Sequence, residues 1–277
     1  FRFSNLWMWD IDQSSRVSMY RGNLLFMLTD YDNDFVFYTF TGTTDCASTA
    51  KMLLKHAVDN DRHPSLLLVP EATATLISDD RLLVDEDADS FDYLLDTELL
   101  SKMDTPELAS KRRYLRKFIE KNREADVNIV DGFIREEDVG ELLDFFEEWR
   151  KSRNKSDEET ADERIATERL LAEFSLFKLR VFKLFIDDLL VGFIVYEDVG
   201  DSISILHLDK ANTSFTGIYE YLKMEFSKSL FDRGISTINY EQDLGIEGLK
   251  QAKKSFMPRS YVKKYIVSMT PEAKSTS

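Results

Sequence analysis

Gly234-Ile235-Ser236-Thr237-Ile238-Asn239-Tyr240-Glu241-Gln242-Asp243-Leu244-Gly245-Ile246-Glu247-Gly248-Leu249-Lys250-Gln251-Ala252-Lys253-Lys254-Ser255-Phe256-Met257-Pro258 is the stretch on which the fold turns. Ile235 and Ile238 predict a short buried strand. Polar Asn239, Glu241, Gln242 and Asp243 arrive where that strand ends, and Gly245 and Gly248 let the chain turn. Leu249, Ala252 and Phe256 recur at helical spacing, which predicts a helix stopped by Pro258. In open α/β sheets ligands bind beyond the carboxyl ends of strands, which makes Asn239, Glu241 and Asp243 candidate site residues. The alternative is a capped turn, because Asp and Gly are ordinary turn residues.

The same reasoning extends outward in both directions. A helix over 215–231 carries Ile218, Leu222, Phe226 and Leu230 on one face, and Gly234 ends it. Before it, 178–186, 189–197 and 202–209 read as an antiparallel meander, preceded by a strand over 126–133 and helices over 136–153 and 156–175. A strand over 261–269 closes the chain, with 270–277 as a loose tail. The second half thus runs strand, two helices, three strands, helix, strand, helix, strand, which is the order of the GNAT (acetyltransferase-type) fold. The first half repeats the plan. A packing helix around Phe3, Leu6 and Trp7 precedes strands over 16–20, 23–29 and 35–40, with turns at 21–23 and 30–34; a helix over 44–60, a strand over 65–69 and a helix opened by Pro70-Glu71 follow. A plan repeated at about half the chain length predicts two related domains.

Two charged stretches separate the halves. Asp79 to Glu98 holds nine carboxylates against Arg81 alone; its spacing fits no EF-hand loop, and a solvated face or loop is expected. Thr105-Pro106-Glu107 then starts a helix whose apolar stripe is Leu108, Leu115, Phe118 and Ile119 and whose remaining surface carries Lys111, Arg112, Arg113, Arg116, Lys117, Lys121 and Arg123. That cationic face either balances the acidic stretch or contacts phosphate, from tRNA or another anionic ligand.

The run Asn239-Tyr240-Glu241-Gln242-Asp243-Leu244-Gly245, with Gly248-Leu249, Ala252-Lys253, Pro258 and Tyr265, resembles the C-terminal domain family of bacterial aminoacyl-phosphatidylglycerol synthases (phosphatidylglycerol lysyltransferase C-terminal-like). Phe3-Ser4-Asn5-Leu6-Trp7-Met8-Trp9, Lys111-Arg112-Arg113-Tyr114-Leu115, His207-Leu208-Asp209-Lys210-Ala211 and Gly217-Ile218-Tyr219 resemble its stand-alone members of unassigned function. The resemblance implies an α+β fold of two tandem GNAT-like domains with mixed sheets, an architecture shared with transferases that take an amino acid from aminoacyl-tRNA. We place the domains at 1–125 and 126–277, with the site in the second.

Composition narrows the function. The net charge of −15 excludes a general nucleic-acid binder, so any tRNA contact requires a local basic patch. Cys46 is alone, so no internal disulfide forms, in keeping with a reducing cytoplasm. The longest apolar run, Leu189 to Tyr196, is far short of the roughly 20 residues of a bilayer span. The full lipid-modifying enzymes of the resembled family carry spans ahead of this domain; the present sequence starts at Phe1 without Met, which leaves room for a preceding segment.

Acyl transfer needs a base for the nucleophile, a donor for the developing oxyanion and a hold on the acyl carrier. Acyl-CoA-dependent GNAT enzymes cradle pyrophosphate in a glycine-rich loop before the central helix. Here that loop, Asp209 to Gly217, has one glycine, which weighs against acetyl-CoA, while Lys210 is placed for an anionic group. Glu241 and Asp243, two apart, would share one side of an extended segment, and mutual repulsion would make one of them a base. Lys253 either holds an anion or neutralises one of these carboxylates as a buried pair. His207, on a face with Ile203 and Ile205, reads as a satisfied core residue, and Tyr219 and Tyr240 as proton donors. No His/Cys cluster has zinc spacing, so no metal is assigned. The expectation is a cytoplasmic acyl or aminoacyl transferase with Glu241 and Asp243 catalytic and Lys210, Asn239, Lys253, Tyr219, Arg112 and Arg113 binding substrate. Its donor is aminoacyl-tRNA or acyl-CoA and its acceptor a small molecule, lipid headgroup or peptide. The alternatives are a non-catalytic ligand-binding module that retains the fold and an acyl-CoA-dependent N-acetyltransferase.

Overall fold

The computed structural model describes residues 2–30, 33 and 35–271. Most of the turn expected at 30–34 and the tail from 272 onward lie outside the described residues. β1 (Arg16–Tyr20), β2 (Asn23–Asp30) and β3 (Phe35–Thr41) form an antiparallel meander. The Cys46–Asp59 helix crosses over to β4 (Leu66–Pro70), which runs parallel to β3. The helix opened by Pro70 is only Glu71–Ala74, and β5 (Leu82–Glu86) and β6 (Asp92–Asp96) follow.

The second half rebuilds this with an added edge. After the Ala109–Lys121 helix, β7 (Val127–Phe133) leads into helices Glu136–Ser152 and Ala161–Ala172. The meander β8 (Arg180–Ile186), β9 (Leu189–Val199) and β10 (Ile203–Ala211) follows. The Ile218–Asp232 helix crosses over to β11 (Thr237–Asn239), parallel to β10, and the Glu247–Lys254 helix leads to β12 (Ser260–Val262) and β13 (Lys264–Met269).

The sheets are therefore mixed, each with one parallel pair made by a helical crossover, and the fold is α+β and GNAT-like. Their strand orders are β1-β2-β3-β4-β13-β5 and β12-β6-β11-β10-β9-β8-β7. Each half thus lends a strand to the other: β13 lies between β4 and β5, and β6 between β11 and β12. The proposed cut at 125/126 divides the chain but not the sheets.

Strand alternation buries the second sheet on both faces. Phe182, Leu184, Ile194 and Tyr196 point into a core with the Ala109–Lys121 and Ile218–Asp232 helices, whereas Val181, Phe193 and Val195 point into a core with Leu142, Phe146, Trp149, Leu170 and Leu171. The first sheet packs Tyr38, Phe40, Leu66 and Val69 on Ala50, Leu54 and Ala57 of its crossover helix.

The structure corrects four local expectations. The acidic stretch is no loop: β5 and β6 run through it, because Tyr93 and Leu95 alternate inward beneath the carboxylates. The closing strand is two strands in different sheets, with Lys263 between them. The expected 156–175 helix is broken into Glu158–Thr160, Ala161–Ala172 and Phe174–Phe177, although the Ser156/Glu159 capping box forms as its spacing predicts. On the Glu247–Lys254 helix Leu249 and Ala252 face solvent and Lys253 faces inward, because its ammonium is held by the Tyr240 carbonyl and lies over the Tyr240 ring.

Candidate active site

The parallel pair β10/β11 is joined only at Ile203–Ile205 and Thr237–Asn239, so the two strands part company just where the polar residues begin. On β10 the register slips between Leu206 and Leu208, which makes His207 the extra residue of a β-bulge. A bulge re-aims its side chain, and here it carries the imidazole toward the loop after β11. His207 Nδ1 lies 2.9 Å from Glu241 Oε1 and Nε2 lies 3.5 Å from Glu197 Oε1, an ion-pair distance rather than a well-formed hydrogen bond. Burial alone would lower the basicity of this enclosed side chain, but the two carboxylates raise its pKa to about 9, so the ring is an imidazolium at neutral pH.

The N-terminal helix Phe3–Met8 closes the cluster from the other side. Asn5 Nδ2 donates to Glu241 Oε1 at 2.8 Å, Ser4 Oγ donates to Glu197 at 2.7 Å, and Arg2 Nε reaches the same Glu197 oxygen at 3.1 Å. Against the cost of burial, His207, Arg2 and Ser4 bring the Glu197 carboxyl down to about 2. Reciprocal bonds hold the helix in place: Trp7 Nε1 donates to the Arg169 carbonyl at 3.3 Å, and Arg169 Nε donates to the Trp7 carbonyl at 3.0 Å.

Glu241 adopts φ +56°, a left-handed conformation uncommon outside glycine, which Asn239 Oδ1 stabilises by accepting the Glu241 N–H at 2.8 Å. The extended geometry expected for Glu241 and Asp243 is thereby broken, and the two carboxylates face different partners. Glu241 meets Asn5 and His207 and keeps 18% of its side chain exposed; Asp243 is fully buried, accepting the Tyr93 hydroxyl and the Gly245 N–H.

Lysines line the inner wall. Lys253 Nζ donates to the Tyr240 carbonyl and sits 4.6 Å from the Tyr240 ring centroid. It makes no ion pair with Glu241 or Asp243, so the expected buried pair does not form. Burial brings its ammonium down to about 8 against the pull of Glu241. Lys223 approaches the same ring at 4.0 Å and donates to Asp209 Oδ2 at 2.6 Å; Tyr240 donates to that oxygen at 3.2 Å. Burial lowers the Lys223 pKa and raises that of Tyr240.

Lys210 and Tyr219 form an adjoining cluster. Lys210 pairs with Glu163 and lies 3.9 Å from the Trp149 ring centroid, while Trp149 Nε1 donates to Tyr219 at 3.3 Å. Burial lowers the Lys210 pKa and, with Asp209, pushes the Tyr219 phenol up to about 12. The loop after Lys210 is closed on itself: the N–H groups of Asn212, Ser214 and Phe215 go to Val191 O, Asn212 Oδ1 and Asn212 O. Gly217, at φ +88°, lies so close to the neighbouring helix that a Cβ there would stand 2.1 Å from the Tyr114 carbonyl oxygen. Its glycine serves helix packing, in keeping with a loop too poor in glycine for a phosphate cradle.

Arg112 and Arg113 lie apart from this cluster. Arg112 donates to the carbonyls of Met103 and Thr105 and is spent on the preceding turn, whereas Arg113 is exposed and flanks Tyr114 at 5.4 Å. The sequence reading missed Asn5, Glu197 and Lys223 and took His207 for a core residue. Lys223 had a readable signal, falling four residues after Tyr219 and three before Phe226 on the buried side of its helix. Asn5 and Glu197 had none, because Asn5 meets Glu241, and Glu197 meets Arg2 and Ser4, across more than 190 residues, and the bulge that turns nearby His207 toward Glu197 leaves no mark in the local pattern.

Segments that resemble one family thus meet in one buried charged cluster, and the model of the family described as "Phosphatidylglycerol lysyltransferase, C-terminal" matches residues 1–268. The chain belongs to this family. Among solved structures, the phosphatidylglycerol lysyltransferase C-terminal fold seen here is similar to that of a conserved protein of unknown function from Bacteroides thetaiotaomicron (26% identity, TM-score 0.80, 97% of this chain and 90% of that one). It is also similar in fold to L-PGS from Bacillus licheniformis (14% identity, TM-score 0.62, 96% and 87% covered). No curated protein gives a significant match to the chain. Among the described residues no helix is long and apolar enough to cross a membrane.

Proposed function

We propose that this family member transfers an aminoacyl group from aminoacyl-tRNA to an amine or hydroxyl acceptor, at a site centred on Glu241. The observation that carries this reading is the Asn5–Glu241–His207–Glu197 cluster. It holds a partly exposed carboxylate in a strained conformation beside an imidazolium, at the point where β10 and β11 diverge. Buried charge is costly, and a site is one reason to keep it.

In the proposed step Glu241 accepts the proton of the attacking amine or hydroxyl while the new C–N or C–O bond forms at the ester carbonyl. The bond to the tRNA 3′ oxygen breaks, and Lys253, protonated at neutral pH, supplies the proton that this oxygen takes up. His207 and Asn5 orient Glu241. Asp243, fully buried against Tyr93, acts as a positioning group for the loop rather than as a second base. The exposed cationic residues Arg113, Arg116, Lys117 and Arg123 supply the basic patch for tRNA phosphates on an otherwise acidic protein. The self-bonded loop before the central helix argues against acyl-CoA.

Folded protein would be incubated with radiolabelled mixed aminoacyl-tRNA, and separately with acetyl-CoA, with cell lysate as acceptor, and label followed into lipid, peptide and small-molecule fractions. Transfer from aminoacyl-tRNA supports the reading; transfer from acetyl-CoA alone overturns its donor. A non-catalytic binding module is the second reading, favoured by the burial of Lys210, Asp243 and Lys253, and binding of tRNA without transfer would select it.

A further inference from the structure

We propose that the free edge of β7 is a docking site for an extended peptide whose side chains alternate between basic and apolar. The inference is independent of the transferase reading, because β7 lies at the far end of the second sheet from β12, with three strands between it and β11. Among the described residues β7 is hydrogen-bonded on one side only, to β8, over its whole length from Val127 to Phe133. An edge strand leaves alternate N–H and C=O groups unpaired and is a template for another strand. None of its residues is buried, and Ile129, Val130 and Phe133 are exposed at 38%, 46% and 60%.

What distinguishes this edge is that a cleft opens along each face of it. Ile129 and Asp131, with Phe182 across the register, line one of about 390 Å³; Val130 and Gly132, with Val181 and Lys183 across the register, line another of about 430 Å³. A strand laid beside β7 would send alternate side chains into the two clefts, since successive residues of a strand point to opposite faces. The clefts ask for different chemistry. The first is walled by Glu225, Lys228, Asp232 and Arg233; Arg233 pairs with Asp198 at 2.9 Å and Asp131 with Arg180 at 3.3 Å, besides its bonds to Tyr196 and Ser229, so that Glu225, Lys228 and Asp232, which make no ion pair among the described residues, leave one net negative charge. The second has an apolar rim of Val130, Phe133 and Val181, and its cations are satisfied: Lys183 by Asp138 at 2.7 Å and Glu141 at 2.8 Å, Arg135 by Glu137 at 2.8 Å. Gly132 keeps that cleft open, since a Cβ there would have no atom within 4 Å. The fitting strand therefore presents basic side chains to the first cleft and apolar ones to the second. The protein's net charge of −15 attracts such a segment and repels a second copy of this chain, which is why a basic peptide is the occupant we commit to.

The test uses three synthetic heptapeptides on the full chain: Lys-Val-Lys-Val-Lys-Val-Lys, the same peptide with its central residue replaced by proline, and Glu-Val-Glu-Val-Glu-Val-Glu. Affinity is read by fluorescence anisotropy and strand pairing by amide hydrogen exchange of residues 127–133. The account expects the first peptide to bind and to slow exchange in β7. It expects the proline peptide, equal in charge but unable to complete the ladder, to bind at least tenfold more weakly, and the acidic peptide not to bind. The double variant Glu225→Lys, Asp232→Lys, checked for folding by its Tm, should weaken the basic peptide at least tenfold, and Gly132→Gln should weaken it by filling the other cleft. Equal binding of the proline peptide would reduce the interaction to general attraction by an acidic protein and overturn the proposal. So would unchanged exchange in β7, or sedimentation as a dimer whose β7 amides are already protected without peptide.

Discussion

The two crossovers of this protein share a plan and differ in what they bury. In the first sheet, β3, the Cys46–Asp59 helix and β4 enclose Tyr38, Phe40, Ala50, Leu54, Leu66 and Val69. Every polar residue buried up to position 125, such as Asn23, Thr39 and Thr73, is uncharged. In the second, β10, the Ile218–Asp232 helix and β11 enclose His207, Lys210, Lys223 and Asn239, with Glu197, Asp243 and Lys253 alongside. All the buried charged residues among those described come after position 125. A hydrophobic crossover suffices for folding, so the charges of the second are an added cost that its fold does not require. The comparison assigns structure to the first half and chemistry to the second.

The comparison can be broken most forcefully in the first half. Phe40→Ala, in its apolar core, should cost about 3–5 kcal/mol of stability and leave the transfer rate per folded molecule unchanged; a chemical melt combined with an activity titration measures both. Next comes the pH dependence of the second half. The folded pKa of His207 is raised from 6.5 to about 9, so its stabilisation is complete below 6.5 and disappears as pH rises through 9. Denaturant melts should show a decline approaching about 3 kcal/mol across that window, flattened in His207→Gln. Lys253→Met should remove a buried ammonium without loss of Tm, and raise it if the desolvation cost dominates, while transfer falls by about 10²-fold. The smallest effect concerns the surface. Arg113→Glu and Lys117→Glu should each flatten the dependence of tRNA affinity on log salt by about one unit and leave both Tm and the bound-state transfer rate unchanged.

The repeat itself was readable, because meander strands and crossover helices announce themselves by period, as Ile218, Leu222, Phe226 and Leu230 do. The exchange of β6 and β13 was not, since a strand's partner leaves no mark in its local pattern and the charges of residues 79–98 masked the alternation of Tyr93 and Leu95. The Glu247–Lys254 helix was misoriented because periodicity ranks Leu249 and Ala252 above a lysine. It takes no account of the ring and carbonyl of Tyr240, which receive the lysine ammonium. Within the site, Glu241, Asp243 and Asn239 were visible as a polar cluster after a strand. Their roles were not, because the left-handed turn at Glu241 and the bulge at His207 decide which groups meet.

The central claim is that the charge cluster of the second half performs transfer. Its most direct test is Glu241→Gln, an isosteric change, with rate of transfer from aminoacyl-tRNA and Tm measured side by side against the unmodified chain. The account predicts a rate lower by about 10²-fold or more at a Tm within a few degrees of the unmodified chain. An undiminished rate would contradict it, and a collapse of Tm would show that Glu241 is a structural partner of His207 and Asn5.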